Sequence, residues 1–213
     1  MDVVSSNLDY LLDGAKATVV LSVCAVILAV GLGAAAGVVR LYGPRWMRLV
    51  SALYIGLFRG TPVLVQMFFI FFGLPALAIR IPTFPAAVLA MSLWMAVNTA
   101  EVVRGGIQSI PRGQFEAARS IGLSEIQAMR YVIFPQAVRR MIPPFVGLCT
   151  ILIKDTSLAA IIGVFELTRA AQETIERTFQ SFEIYLTAAA IYFVICFPLT
   201  RFAQRAEARL LRP

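Results

Sequence analysis

Lys154, Asp155, Thr156 and Ser157 stand side by side inside a long apolar run, and they are the residues whose types could do most chemistry. A lone charge at bilayer depth costs about 2.5 to 3.5 kcal/mol even on the mildest scales, so such residues are kept for a reason. Two readings fit. Thr156 and Ser157 can bond back to helix carbonyls while Lys154 pairs with a carboxylate. Alternatively the helix breaks here, and Asp155, Thr156 and Ser157 cap its outer half and aim polar groups at a path through the membrane. Arg59-Gly60-Thr61-Pro62 with Gln66 forms a second polar cluster, readable either as pathway lining or as packing at a kink. Asn98 and Glu101, three residues apart on one helical face, form a third. An acid, a base and amide or hydroxyl donors suit a solute that carries both charges, as an amino acid does. The positions one or two turns before Asp155 hold Leu148, Cys149 and Ile151 rather than a further acid, which disfavours a cationic side chain on that solute.

Other chemistries have little to stand on. Lys154 and Ser157 are spaced as a Ser/Lys nucleophile pair could be, but no oxyanion site accompanies them. Histidine is absent, which removes His-ligated metal sites and His acid/base catalysis. The only lysines are Lys16 and Lys154, and neither follows a glycine-rich phosphate loop, so nucleotide hydrolysis belongs to another polypeptide. Cys24, Cys149 and Cys196 all fall in apolar runs, where a free thiol is a small buried hydrophobe. No metal site and no cofactor are expected.

These clusters must be positioned by membrane helices. Of the 213 residues 59% are hydrophobic, and the mean hydropathy is +0.80. Runs near the bilayer-spanning length of about 20 residues predict an all-α polytopic protein with spans at about 17–39, 49–77, 84–107, 141–165 and 184–202. The second of these is interrupted at Arg59-Gly60-Thr61-Pro62, which predicts a broken or kinked helix whose freed backbone groups face protein or water. Gly33 and Gly37 in the first span either admit a neighbouring helix closely or are simply glycines of a membrane helix.

The charges fix the orientation. Asp2, Asp9 and Asp13 precede the first span without a basic n-region, which predicts a retained, non-cytoplasmic N-terminus. Three segments, with Arg40, Arg45 and Arg48, with the arginines from Arg104 to Arg140, and with Arg201, Arg205, Arg209 and Arg212, hold 13 of the 19 basic residues. These face the cytoplasm, the C-terminus with them. Arg104 is placed to snorkel to the interface, whereas Glu101 needs a partner. The net charge of +7 is thus distributed by membrane side and gives no support to nucleic-acid binding. One transmembrane domain is expected over 1–213.

The loop at about 108–140 has its own shape. Pro111 opens a helical pattern continued by Glu116, Ala117 and Ala118, Gly122 can end it with positive φ, and Ser124 with Gln127 has capping-box spacing for a second helix. A helix, a glycine elbow and a helix on the cytoplasmic side suggest a docking surface.

Glu116-Ala117-Ala118, Gly122, Ile133 and Pro135 resemble the EAA motif of permease subunits in binding-protein-dependent ABC importers. Phe58-Arg59-Gly60-Thr61-Pro62 and Lys154-Asp155-Thr156-Ser157-Leu158 resemble further hallmarks of the polar amino-acid branch, and the likeness runs over essentially the whole chain. Phe134 departs from the leucine more usual before the proline and keeps its apolar character. The resemblance implies a non-catalytic subunit of the bacterial inner membrane that forms the path for a polar amino acid or a close derivative such as an opine. It implies that Glu116, Ala117, Ala118, Gly122, Leu123 and Pro135 engage a cytoplasmic ABC ATPase. The three polar clusters, with Arg59, Thr61, Gln66, Asn98, Glu101, Asp155, Thr156 and Ser157, remain the candidates for the solute path. A second permease subunit, alike or paralogous, and an extracytoplasmic solute-binding protein complete the assembly, embedded in membrane lipid. The alternatives are a self-sufficient secondary transporter or channel, with Glu101 and Asp155 as an ion relay, and a membrane scaffold that moves nothing.

Overall fold

The computed structural model describes residues 2–210, and every regular element among them is helical. Arg212, counted above with the inner charges, lies outside the described residues. The first helix, α1, runs over Asp2–Tyr42 rather than 17–39. At about 1.5 Å per residue it is about 60 Å long, twice the hydrocarbon thickness. Its extra N-terminal turns are stabilised by packing: Leu11 and Ala15 are buried against Leu167, Ala170 and Ala171 of a later helix.

The second apolar run is not one rod. α2 covers Arg45–Arg59 and α3 covers Val63–Phe68, and the chain turns by 103° between them. A π-helical turn at Phe69–Gly73 and a 3-10 turn at Leu74–Leu77 continue α3 to Ala78, which has φ of 62°.

The centre of the fold is α4, Thr83–Gln108, close to the expected 84–107. Small and flexible side chains explain its place: Ala86, Ala87, Ala90, Met91, Met95, Ala96 and Ala100 are all buried, so neighbours approach on several sides. The Gly33-x-x-x-Gly37 spacing is used for close approach. A Cβ added at Gly33 would lie 2.5 Å from the Ala96 carbonyl oxygen, and one at Gly37 would lie 2.8 Å from that of Ala100.

After α4 come α5, Arg112–Ser120, and α6, Glu125–Ala128. A π-helical turn, Met129–Ile133, joins α6 to α7, Phe134–Asp155, which tightens into a 3-10 segment at Thr156–Ile162. Helical structure therefore continues from the cytoplasmic loop into the fourth span. A short amphipathic helix, α8 at Leu167–Thr178, leads to α9 at Ser181–Leu210, which outruns the expected 184–202 at its basic end.

Candidate functional site

Glu101 is the hub of the first polar cluster. Its carboxylate accepts from Arg40 of α1 and from Arg104 one turn further along α4, the latter at 2.7 Å, while Arg59 at the end of α2 stands 4.0 Å away. The partner that Glu101 needs is thus three arginines from three helices. Arg104 is held by Glu101 and by Gln108 at 2.7 Å, instead of snorkelling freely. Two of the three polar clusters, those of Arg59 and Glu101, meet here.

The break at Gly60 is sealed by Gln66. Its buried side-chain amide donates to the Phe58 carbonyl at 2.8 Å and to the carbonyl and hydroxyl of Thr61 at 3.0 Å each. Thr61 donates in turn to the Leu57 carbonyl, so Thr61 and Gln66 satisfy groups that Pro62 and the bend set free. Asn98 shares the Glu101 face, and its side chain donates to the Trp94 carbonyl. Asn98, Glu101, Ser109 and Arg140 line a cleft of about 480 Å³ between α4 and α7.

The tetrad is separate. The expected break and cap are replaced by a tightening of the helix: the Thr156 hydroxyl donates to the Ile153 carbonyl at 2.7 Å and that of Ser157 to Lys154 at 2.8 Å. Thr156 is fully buried, whereas Asp155 and Ser157 are half-buried and Lys154 is exposed. No ion pair to Lys154 forms among the described residues. Its side chain lines a cleft of about 760 Å³ between α7 and α9, with Arg140, Thr150, Gln204 and Glu207, and an adjoining one of about 430 Å³ with Ser157 and Tyr192. Arg140 borders both this cleft and that of Glu101, and its guanidinium donates to the Ser109 carbonyl at 2.5 Å.

A further polar knot escaped sequence reasoning. Glu166 is fully buried and caps α8, accepting from the Arg169 backbone N–H at 2.7 Å and from the Tyr192 hydroxyl at 2.8 Å. Thr18 of α1 accepts from the Leu167 N–H beside it. Burial pushes the Glu166 carboxyl above its ordinary value, against the hydrogen bonds that favour its ionised form. Nearby, the Tyr10 hydroxyl, then Arg169, hold the Glu173 carboxyl below its ordinary value. Glutamate is not among the preferred N-cap residues, so neither its type nor its spacing signalled this role.

The cytoplasmic loop has the expected geometry in detail. Gly122 takes φ of 82°, its N–H bonds the Arg119 carbonyl at 2.9 Å, and the Leu123 N–H bonds that of Ala118 at 3.1 Å. This is a Schellman turn. Ser124 and Gln127 form the reciprocal capping box, and an Arg119–Glu125 pair at 2.6 Å spans the elbow. Glu116, Ala117 and Pro135 are exposed, Leu123 is half-buried and Ala118 is buried. Ile121, Ile126 and Tyr131 project from the same hook, each more than half exposed.

Residues 27–212 match the family described as the binding-protein-dependent transport system inner membrane component. The chain belongs to that family. The permease is 40% identical over 202 residues to a glutamine transport system permease protein of Escherichia coli K12, covering 94% of this chain and 92% of that one. It is 41% identical over 196 residues to an L-cystine transport system permease protein of Bacillus subtilis 168, covering 92% and 84%. A nopaline transport system permease protein of Agrobacterium fabrum is 38% identical over 174 residues, covering 75% and 72%. Among solved structures, an amino acid ABC transporter crystallised with histidines superposes with a TM-score of 0.91 at 34% identity, covering 96% of both chains. The inward-facing MetNI methionine ABC transporter shares the fold, with a TM-score of 0.76 over 96% of this chain and 98% of that one, at 19% identity. The family membership favours the importer reading over a self-sufficient secondary transporter or a scaffold.

Proposed function

We propose that this permease is a single transmembrane domain forming part of the membrane path of an ATP-driven importer for a polar amino acid or close derivative. It works in the bacterial inner membrane, paired with a second permease subunit, and ATP is hydrolysed on separate cytoplasmic ATPase chains. A solute-binding protein delivers the solute at the outer face. The observation that carries the reading is the hook. Its elbow is fixed by glycine chemistry, it exposes three large apolar side chains on the arginine-rich side, and it continues through α7 to Asp155. The similarity to a glutamine, a cystine and a nopaline permease supports the amino-acid class.

Within this reading the solute side is formed by Asn98, Asp155 and Ser157. Thr61, Gln66 and Thr156 hold backbone in place behind it, and Arg59 and Glu101 tie α2 to α4. Glu116, Ala117, Ala118, Gly122, Leu123 and Pro135 form or support the ATPase-facing hook. Uptake of radiolabelled amino acids by vesicles holding the reconstituted complex tests it. ATP-dependent uptake that requires the binding protein is expected, and uptake driven by an ion gradient without the ATPase overturns it.

A further inference from the structure

The hallmark sequence around Gly60 ends a helix with three distinct sides. On α2, Ser51 and Ile55 are buried, with Met47, Tyr54 and Phe58 half-buried beside them. Trp46, Leu49, Val50, Leu53 and Leu57, spaced as one helical face, are all exposed by 60% or more. Arg45, Arg48 and Arg59 line the remaining edge, and all are exposed.

The packing of α2 shows its direction. Ser51 donates to the Ala36 carbonyl at 3.2 Å, Ile55 packs with Val97 and Ala100, and Arg59 stands 4.0 Å from Glu101. Between Ser51 and Arg59 the helix advances about 12 Å. Ala36 itself packs beside Val97 and Ala100, so these contacts stay within about one turn of α4; only the long Tyr54 side chain reaches back, to the Leu93 carbonyl at 3.0 Å. α2 therefore crosses α1 and α4 instead of running along them. α3 and the π turn, by contrast, climb the outer half of α4, with Met67 and Ile70 in one core with Ala86, Ala87 and Ala90. The 103° turn at Gly60 joins the two directions.

We propose that α2 lies in the plane of the cytoplasmic leaflet, with the Trp46-Leu49-Val50-Leu53-Leu57 face in the acyl region and Arg45 and Arg48 on anionic phospholipid headgroups. The exposed apolar face calls for an apolar medium and the arginines for a negative one. A leaflet surface supplies both at one depth. On this placement the membrane crossing begins at Val63, and the Gly60 break marks entry into the bilayer rather than a kink halfway across it. The inference rests on membrane insertion and basic-side orientation, not on the identity of the solute.

Tryptophan fluorescence tests it, because Trp46 and Trp94 are the only tryptophans. A Trp94→Phe permease, in complex with its partners, is reconstituted into vesicles doped with lipids brominated at a shallow or a deep acyl position. Stronger quenching by the shallow bromines is expected. Brominated phosphatidylglycerol is expected to quench several-fold more effectively than brominated phosphatidylcholine, since each arginine at such a surface gives roughly a fivefold preference. Arg45→Gln with Arg48→Gln should abolish that preference. Stronger deep quenching would mean that α2 crosses the bilayer, and absence of quenching would mean that a second copy covers the face; either result overturns the proposal. A readout that leaves Trp94 in place is the anionic fraction of the lipid that co-purifies with the complex. It should fall in the double arginine variant, and an unchanged fraction overturns the headgroup assignment.

Discussion

Replacing Gly122 with valine isolates the contribution of the elbow. A Cβ at this position meets nothing within 4 Å, so the cost is not collision with a neighbour. It comes from the backbone, because φ of 82° is left-handed and a side chain there costs about 1 to 2 kcal/mol, with a β-branched one at the upper end. Two kcal/mol is about 30-fold in a local equilibrium. The two Schellman hydrogen bonds and the exposed Arg119–Glu125 pair oppose the change, but the pair is worth only about 0 to 1 kcal/mol. The hook should populate other conformations, while the knot around Glu166, which it does not touch, and the core of α1 and α4 around Met91 and Met95 stay folded. The assay is ATPase association with the solubilised permease, followed by binding-protein-stimulated hydrolysis and uptake. Gly122→Val should weaken association by up to about 30-fold with normal membrane insertion. Gly122→Asn, whose side chain tolerates this conformation, should stay near wild type. Undiminished association and uptake by the valine variant would refute the argument that the elbow shapes the docking surface.

Gly33→Ala should lower the thermal midpoint of the solubilised complex by overpacking α1 on α4, at about 1 to 3 kcal/mol, while Gly31→Ala, whose Cβ meets open space, should not; equal midpoints would refute the close-approach reading. Glu101→Gln leaves Arg40 and Arg104 without their shared carboxylate, and a cost of about 2 kcal/mol, between the exposed and buried limits, is expected, with Arg40→Gln adding little on top of it in a double-mutant cycle. Asp155→Asn should change uptake or solute preference without loss of the assembled complex, and unchanged uptake and selectivity would make the tetrad purely structural. Because burial raises the Glu166 carboxyl, the folded state holds its proton more tightly than the unfolded one; this stabilisation is full at pH below the unfolded value and is lost as pH rises through the folded one. Thermal midpoints across that range should therefore fall less steeply in Glu166→Gln than in the wild type, and identical slopes would refute the assignment.

The legibility of the chain in its sequence followed the locality of the physics. The hook could be read residue by residue because a Schellman glycine and a capping box are contacts between residues at most five apart. The long apolar helices could be read because hydropathy integrates over a window. The direction taken after Gly60 could not, since a proline and a glycine announce a break without its angle, and the 103° turn is held by distant packing on α4 as well as by the Gln66 bonds. Nor could the length of α1. Residues 2–14 look polar, and they form helix because α8, more than 150 residues later, offers Leu167, Ala170 and Ala171 to pack on. Glu166 is one of four glutamates between 166 and 183, and only the fold shows that it is buried.

In the tetrad a polar intrusion is satisfied within the helix, and the helix changes form at the same point. Thr156 and Ser157 bond back to carbonyls, and the helix tightens from α to 3-10 directly after Asp155. That change leaves Lys154 exposed on a cleft while Thr156 is buried. An exposed lysine without an acidic partner among the described residues, at the depth of a span, is tolerable only next to water, a second subunit or an anionic solute. The other end of α7 is the hook, about 30 Å away along the helix. Pro143 and Pro144 lie between, where two backbone N–H groups are missing and the helix bends most easily. A displacement of the hook by an ATPase would therefore reach Lys154 and Asp155 through one continuous element with a single weak section. Replacing Pro143 and Pro144 with alanine should stiffen that section. Hydrolysis stimulated by the binding protein should then lose its coupling to uptake while hook association persists, and uptake in proportion to hydrolysis would exclude α7 as the transmitting element.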